Sequence, residues 1–253
     1  MTTKVSIDAS GGDFGFPVTI EAGLNALSLY DDLCLNFVGD KSNIQQELAK
    51  HAKYKTFLER IDITHASEVI DMCELPSHAL RRKKDSSMRV SINLVHEKTV
   101  DACVSAGNTG ALMAISRFVL KTIKGVDRPA IMANLPTYTG HTHMLDVGAN
   151  IDSKPETLLQ FATMGAIAVQ HTEDISQPTI GLLNVGVEDM KGNEKIQDTA
   201  LLLKNSSLNY VGFVEGDDIY KGTVDVVVCD GFEGNIAVKA SEGVAKKIGR
   251  AHV

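Results

Sequence analysis

The chain has 253 residues, 43% of them hydrophobic and 23% charged, with no Trp and a formal net charge of −7. That composition supports a sizeable core and excludes a disordered, collagenous or disulfide-dense chain. No apolar run approaches the ~20 residues that span a bilayer, and the acidic balance excludes a nucleic-acid binder that relies on overall basicity.

A short β-branched or apolar run, a Gly/Asn/Asp loop and a segment of helical periodicity recur along the chain. Strands are predicted at 5–8, 33–38, 61–64, 102–105, 144–147, 179–183, 210–214 and 224–229. Helices are predicted between them at 17–29, 42–51, 87–97, 110–123, 155–170, 193–204 and 235–247. Pro17 suits a first helical turn, where its missing N–H has no partner to lose. The 155–170 segment carries a broad apolar face through Leu158, Leu159, Phe161, Ala162, Met164, Gly165 and Ile167, expected to pack on a sheet. The alternation predicts an α/β fold, a largely parallel sheet with helices on both faces. No repeat, low-complexity segment or linker marks a boundary, so a single domain over 1–247 is expected. The opening residues carry no signal-peptide pattern, and a cytoplasmic location is expected.

Cys34, Cys73, Cys103 and Cys229 share no metal-type spacing and are read as reduced, buried structural residues. His141 and His143 would share one face of a strand, but no third ligand lies nearby in sequence. They are read as surface residues, and neither a metal nor a cofactor is assigned.

In an open parallel sheet, ligands bind outside the carboxyl ends of the strands. Here those ends carry Asp8-Ala9-Ser10-Gly11-Gly12-Asp13, Ser105-Ala106-Gly107-Asn108-Thr109-Gly110, the 146–150 loop with Asn150, the 184–186 loop, Lys191-Gly192-Asn193-Glu194, and Asp230-Gly231-Phe232-Glu233-Gly234-Asn235. Glycine lets backbone N–H groups approach a ligand, and Asn adds neutral donors. One such loop alone is an ordinary turn; several at one sheet edge make a donor-rich pocket for phosphate or a developing oxyanion. Neither Gly-x-Gly-x-x-Gly after the first strand nor a Walker sequence is present, which weighs against dinucleotide and ATP chemistry. No Gly-x-Ser-x-Gly nucleophile occurs either, so attack by a bound anion on an activated carbonyl fits better than a covalent intermediate. Arg81-Arg82-Lys83-Lys84 is the one dense basic run, and it reads either as a solvated face or as a site for an anion or acidic partner. Ser86 or Ser87 after it would cap a helix.

Taken together, 7–13, 81–88, 105–113, 127–130, 145–156, 181–186, 191–194, 214–218 and 225–243 resemble, in order, the bacterial phosphate acyltransferases of phospholipid synthesis, the PlsX family. Ser-Ala-Gly-Asn-Thr-Gly-Ala-Leu-Met and Val-Cys-Asp-Gly-Phe-x-Gly-Asn carry most of that resemblance. It implies a fold similar to phosphotransacetylase and the isocitrate dehydrogenase class, a homodimer, and reversible acyl transfer from acyl carrier protein to inorganic phosphate. It also implies roles in the reaction for Lys191 and Asn235. With the loops and the basic run above, phosphate- or substrate-binding residues are expected at Asp8, Gly11, Gly12, Asp13, Arg82, Lys83, Ser105, Gly107, Asn108, Thr109, Gly110, Asn150, Asn193, Asp230 and Gly234. A phosphotransacetylase-like enzyme using acyl-coenzyme A and an inactive fragment that only binds carrier protein or phosphate are the competing expectations. Two departures stand out. Ser10 replaces the family's usual Met, and the sequence stops before a further segment that carries the family's membrane contact, with 248–253 read as a non-native tail.

Overall fold

The computed structural model describes residues 2–251, so the end of the expected 248–253 tail, 252–253, lies outside the described residues. The chain forms two compact units, 1–123 and 124–253, at a junction that no composition shift announces.

In the first unit, β1 (Thr3–Asp8), β2 (Leu33–Gly39), β3 (Ile61–His65) and β4 (Ala102–Val104) make an all-parallel sheet in the order β3-β2-β1-β4. Helix α1 (Phe16–Leu29), with Pro17 in its first turn, and α2 (Lys41–Ala49), capped by Asp40, join the first three strands. Ile20, Leu24, Leu27, Ile44 and Leu48 from these helices bury against Leu35 and Phe37. The remaining helices, α3 (Pro76–Arg82), α4 (Ser87–His96) and α5 (Thr109–Val119), share a second cluster built on Met88, Ile92, Ala111 and Ile115. Ser86 caps α4 by accepting from the Arg89 N–H, as its sequence position suggested.

In the second unit, β5 (Met132–Pro136), β6 (His141–Leu145), β7 (Thr179–Leu183), β8 (Asn209–Val214) and β9 (Val226–Val228) form a sheet in the order β5-β6-β9-β7-β8. All pairs are parallel except β5 with β6. Helix α6 (Pro155–Thr172) and α7 (Glu194–Lys204) cover one face, while α8 (Gly231–Ala251) contributes to the other. β9 shows the two-residue period that builds such a layer: Val226 and Val228 join the cluster of Leu158, Phe161 and Leu203, and Val227 and Cys229 join that of Met144 and Ile219.

The expected α/β class holds, with corrections in detail. The α3 segment was read only as part of a basic run, although Pro76 at its start is a helix-opening signal. Strand β5 was not predicted; it is an antiparallel edge strand that ends at Pro136, a position where a proline is tolerated. Helix α8 begins at Gly231 rather than Asn235. His143 is buried, not a surface residue, and Cys73 is exposed, not buried.

Candidate active site

Each unit gathers loops at the carboxyl ends of its strands. In the first, β1 ends on Asp8, which is 2% exposed. Ser105, just past β4, donates from Oγ to Asp8 Oδ2 at 2.6 Å and accepts from the Gly107 N–H at 3.1 Å. Gly11 makes this approach possible: a Cβ there would lie 2.6 Å from Asp8 Oδ2 and 3.1 Å from the Gly107 nitrogen. Burial pushes the Asp8 carboxyl above its ordinary value, against the hydroxyls of Ser105 and Ser87 and the N–H groups of Ser10 and Gly11, which favour the anion. Its Oδ1 is buried without a hydrogen-bond partner.

That shift makes a pH prediction. The folded chain holds the Asp8 proton more tightly than the unfolded chain, so the contribution to stability is full below the unfolded value of 3.8 and is lost as pH rises through the folded value. Asp8→Asn, shaped like the protonated acid, should therefore gain stability relative to the parent as pH rises from about 4 toward 7, measured by urea unfolding. Parallel profiles for the two proteins would count against a raised Asp8.

The other residues expected in this unit take separate positions. Asn108 caps α5 through Oδ1 to the Ala111 N–H at 2.9 Å, and its Nδ2 donates to the carbonyls of Met72 at 2.8 Å and Glu74 at 2.9 Å. Its amide is thus engaged by protein. Thr109 and Gly110 are exposed in the first turn of α5. Gly12 and Asp13 border an open cavity of about 680 Å³ whose wall also carries Asp71 and Glu74, and whose lining residues include no cation. Arg82 is exposed on the last turn of α3, and Lys83 Nζ donates to the Val69 carbonyl at 3.0 Å.

The second unit holds another candidate site, whose lining includes Asp230 and Glu233, with Lys195 Nζ at 3.3 Å from the Asp230 carboxylate. A cavity of about 280 Å³ opens where β7, β8 and β9 end, lined among others by Asn184, Asn193, Ile196, Cys229, Asp230 and Glu233. Asn193 caps α7 by accepting from the Ile196 N–H at 3.0 Å, so the positive end of that helix dipole borders the cavity. Asn184 donates to the carbonyls of Gly186 at 3.0 Å and Lys191 at 3.1 Å, and Gln197 also donates to Lys191. The Lys191 backbone is thus pinned. Its side chain is exposed and makes no hydrogen bond or ion pair among the described residues, leaving the ammonium available to a ligand.

Two buried carboxylates brace this region. Asp146 is fully buried: Oδ1 accepts from the Ile131 and Ala149 N–H groups at 2.9 and 3.1 Å, and Oδ2 from the Asn150 N–H and Nδ2 at 2.7 and 2.9 Å. Asn150 also donates to the Pro129 carbonyl at 2.8 Å. Asp230, 2% exposed, accepts from the N–H of Ser153 at 2.5 Å and Phe232 at 3.0 Å and from Lys195 Nζ at 3.3 Å. Burial opposes its ionisation, but those N–H groups and Lys195 outweigh it and hold the carboxyl below its ordinary value.

Helix α8 enters this network at close quarters. A Cβ on Gly231 would lie 2.3 Å from the Asn150 carbonyl oxygen, and one on Gly234 1.9 Å from that of Asp146. The two glycines therefore let the first helical turn sit on the 146–150 loop. Asn235 follows, exposed, beside Gly148 and without a side-chain hydrogen bond among the described residues. Cys229 donates from Sγ to the Asp146 carbonyl at 3.1 Å, and burial pushes its thiol well above the ordinary value. A thiol so held is a poor nucleophile. Sequence reasoning did not select Asp146 or Lys195 as site residues; Asp146 stood in a quoted Gly/Asn loop, but nothing in the spacing of Lys195 shows that it reaches Asp230.

Comparison with known proteins decides the family. The family model described as "Fatty acid synthesis protein" matches residues 3–251. The chain belongs to this family. A relative from Ruthia magnifica subsp. Calyptogena magnifica named phosphate acyltransferase is 70% identical over 249 residues, covering 98% of this chain and 73% of the relative. Another of that name, from Vesicomyosocius okutanii subsp. Calyptogena okutanii, is 69% identical over 245 residues, 97% of this chain and 72% of the relative. The PlsX resemblance is thereby borne out. Among solved structures, the EutD phosphotransacetylase from Staphylococcus aureus superposes with a TM-score of 0.67 at 16% identity, over 97% of this chain and 83% of that one, a likeness of fold.

Proposed function

We infer that this family member transfers a fatty acyl group from the thioester of acyl carrier protein to inorganic phosphate, releasing acyl phosphate for phospholipid synthesis. The observation that carries this reading is the 70% and 69% identity to phosphate acyltransferases over 98% and 97% of this chain. The cavity at the head of α7 supports it with the chemistry an anionic nucleophile requires. Phosphate binds at the α7 N-terminus with the Lys191 ammonium as its counter-charge. A phosphate oxygen attacks the thioester carbonyl, forming the C–O bond, and the carbonyl electrons pass to oxygen. The Asn235 amide donates to that oxyanion, which collapses with cleavage of the C–S bond and departure of the carrier thiolate. Asp230 and Asp146 act as braces, holding α7, the 146–153 loop and the start of α8 in register.

On the same reading the enzyme works in the cytoplasm as a homodimer; among the described residues no helix is long and apolar enough to cross a membrane. The test offers inorganic phosphate with acyl-acyl carrier protein and, separately, with acetyl-coenzyme A. Acyl phosphate and free carrier thiol should form from the first pair. Equal or faster turnover of acetyl-coenzyme A would favour a phosphotransacetylase-like enzyme, and binding of carrier protein without turnover an inactive binder.

Carrier protein docking falls to the basic end of α3. Arg81, Arg82 and Lys84 are exposed with no hydrogen bond or ion pair among the described residues, so they are open to an acidic partner. Arg82→Glu should raise the KM for acyl-carrier protein about tenfold at low salt, with the difference shrinking as salt rises. An unchanged KM would leave this run a solvated face.

A further inference from the structure

The second unit holds another cavity, of about 380 Å³, that the acyl transfer as derived above does not use. Its wall carries Val187, Tyr210, Val211 and Phe213, together with Asp189 and Lys204, which pair with each other at 3.1 Å. A register shift between β7 and β8 shapes that wall. Ile180 pairs with Tyr210 and Gly181 with Gly212, so Val211 is left out of the ladder and stands half exposed. Gly212, at a φ of 116°, supplies the conformation that the shift requires.

One short loop joins this cavity to the one at the head of α7. Val185 lines the first cavity and Val187 the second, and two residues of chain span at most about 7 Å. The loop also holds large apolar side chains out in solvent: Val185 is 79%, Val187 58% and Met190 86% exposed. Lys191 follows directly. A free ammonium and a helix N-terminus at one end of an aliphatic track complement a ligand with an anionic head and a hydrocarbon tail.

We propose that the fatty acyl chain runs from the first cavity, past Leu183 and Ile196 in its wall, over Val185 and Val187 into the second, and that this second cavity sets the preference for chain length. The choice of ligand rests on the acyl-transfer reading above. At about 280 Å³ the first cavity lies at the small end of ligand pockets, so a short chain ends there and only a long one reaches Val187 and Val211.

The test titrates the full chain by calorimetry with butyl phosphate and decyl phosphate, stable esters with one head group and tails of different length. Their affinity ratio cancels the phosphate contacts and isolates the tail. The parent should bind decyl phosphate about 30-fold or more tightly than butyl phosphate. Val187→Asp, at an exposed loop position, sets a carboxylate across the track and should cut that ratio about fivefold or more, with circular dichroism unchanged. Ile167→Asp, exposed on α6, which contributes to neither lining, should keep the parental ratio. A parent indifferent to tail length overturns the proposal. So does a ratio that Val187→Asp leaves intact, or that Ile167→Asp lowers as far. Should Val187→Asp leave the ratio intact but separate two copies of the chain, or raise the KM for acyl-carrier protein, the loop seats a second copy or the carrier instead. Failure of acyl transfer with the decyl preference retained would sink the reaction reading and leave the acyl seat standing.

Discussion

Asn235→Ala is expected to lower turnover by about 10²-fold or more, with little change in KM, because an oxyanion donor acts only once charge has moved onto the carbonyl oxygen. The position lends itself to a clean measurement. Asn235 is exposed and makes no side-chain hydrogen bond among the described residues, so truncation leaves no buried partner unsatisfied and the helix should persist. Lys191→Ala supplies the contrast: loss of a phosphate counter-charge should raise the KM for phosphate as well as lower turnover. A folded Asn235→Ala enzyme with parental turnover would remove that amide from the reaction.

The second large effect is on folding. Gly234→Ala should destabilise the chain by about 3 kcal/mol or more, at the upper end of overpacking substitutions. The new methyl would stand 1.9 Å from the Asp146 carbonyl oxygen and 2.8 Å from Cys229 Sγ. The carbonyl belongs to backbone fixed by the fully buried Asp146 carboxylate, and it cannot move without breaking that side chain's N–H contacts. Gly243→Ala on the same helix is the control, since a Cβ there meets nothing within 4 Å and alanine is the better helix former. Urea unfolding of the two variants should give effects of opposite sign. Similar midpoints would show that α8 shifts to accept the methyl.

How far the sequence could be read depended on how local each signal was. The strands and most of the helices were legible because their period is local: Pro155 opens α6, Asn193 caps α7, and β9 alternates between two clusters. The α3 helix was obscured because seven residues give too short a window for periodicity, and four adjacent charges dominate its end. The start of α8 was displaced because Gly231 and Gly234 read as turn residues, whereas they serve close contact with carbonyls some 80 positions earlier. Burial of His143 was not legible because the strand beside it, which carries its partner Asn134, was not predicted.

The candidate site divides along the same line. Lys191, Asn193 and Asn235 were legible as loop chemistry and family motif, since each stands in a short segment that carries its own signal. Asp146 and Lys195 were not selected, because a carboxylate among N–H donors and an ammonium beside a buried anion are defined by partners from other elements.

Cys229 gives this region an internal clock. Its sulfur lies under the first turn of α8, at 2.8 Å from where a Gly234 methyl would stand, and is bonded to the Asp146 carbonyl. At 1% exposure, the sulfur meets a thiol reagent during local openings of the layer around it, among them excursions in which that turn leaves the sheet. The slow phase of labelling, read after the exposed Cys73 and the half-buried Cys34 and Cys103 have reacted, therefore reports the free energy of a local opening rather than of global unfolding. If ligand at the head of α7 tightens the whole layer, that phase should slow in proportion to occupancy, giving a binding measurement that requires no turnover.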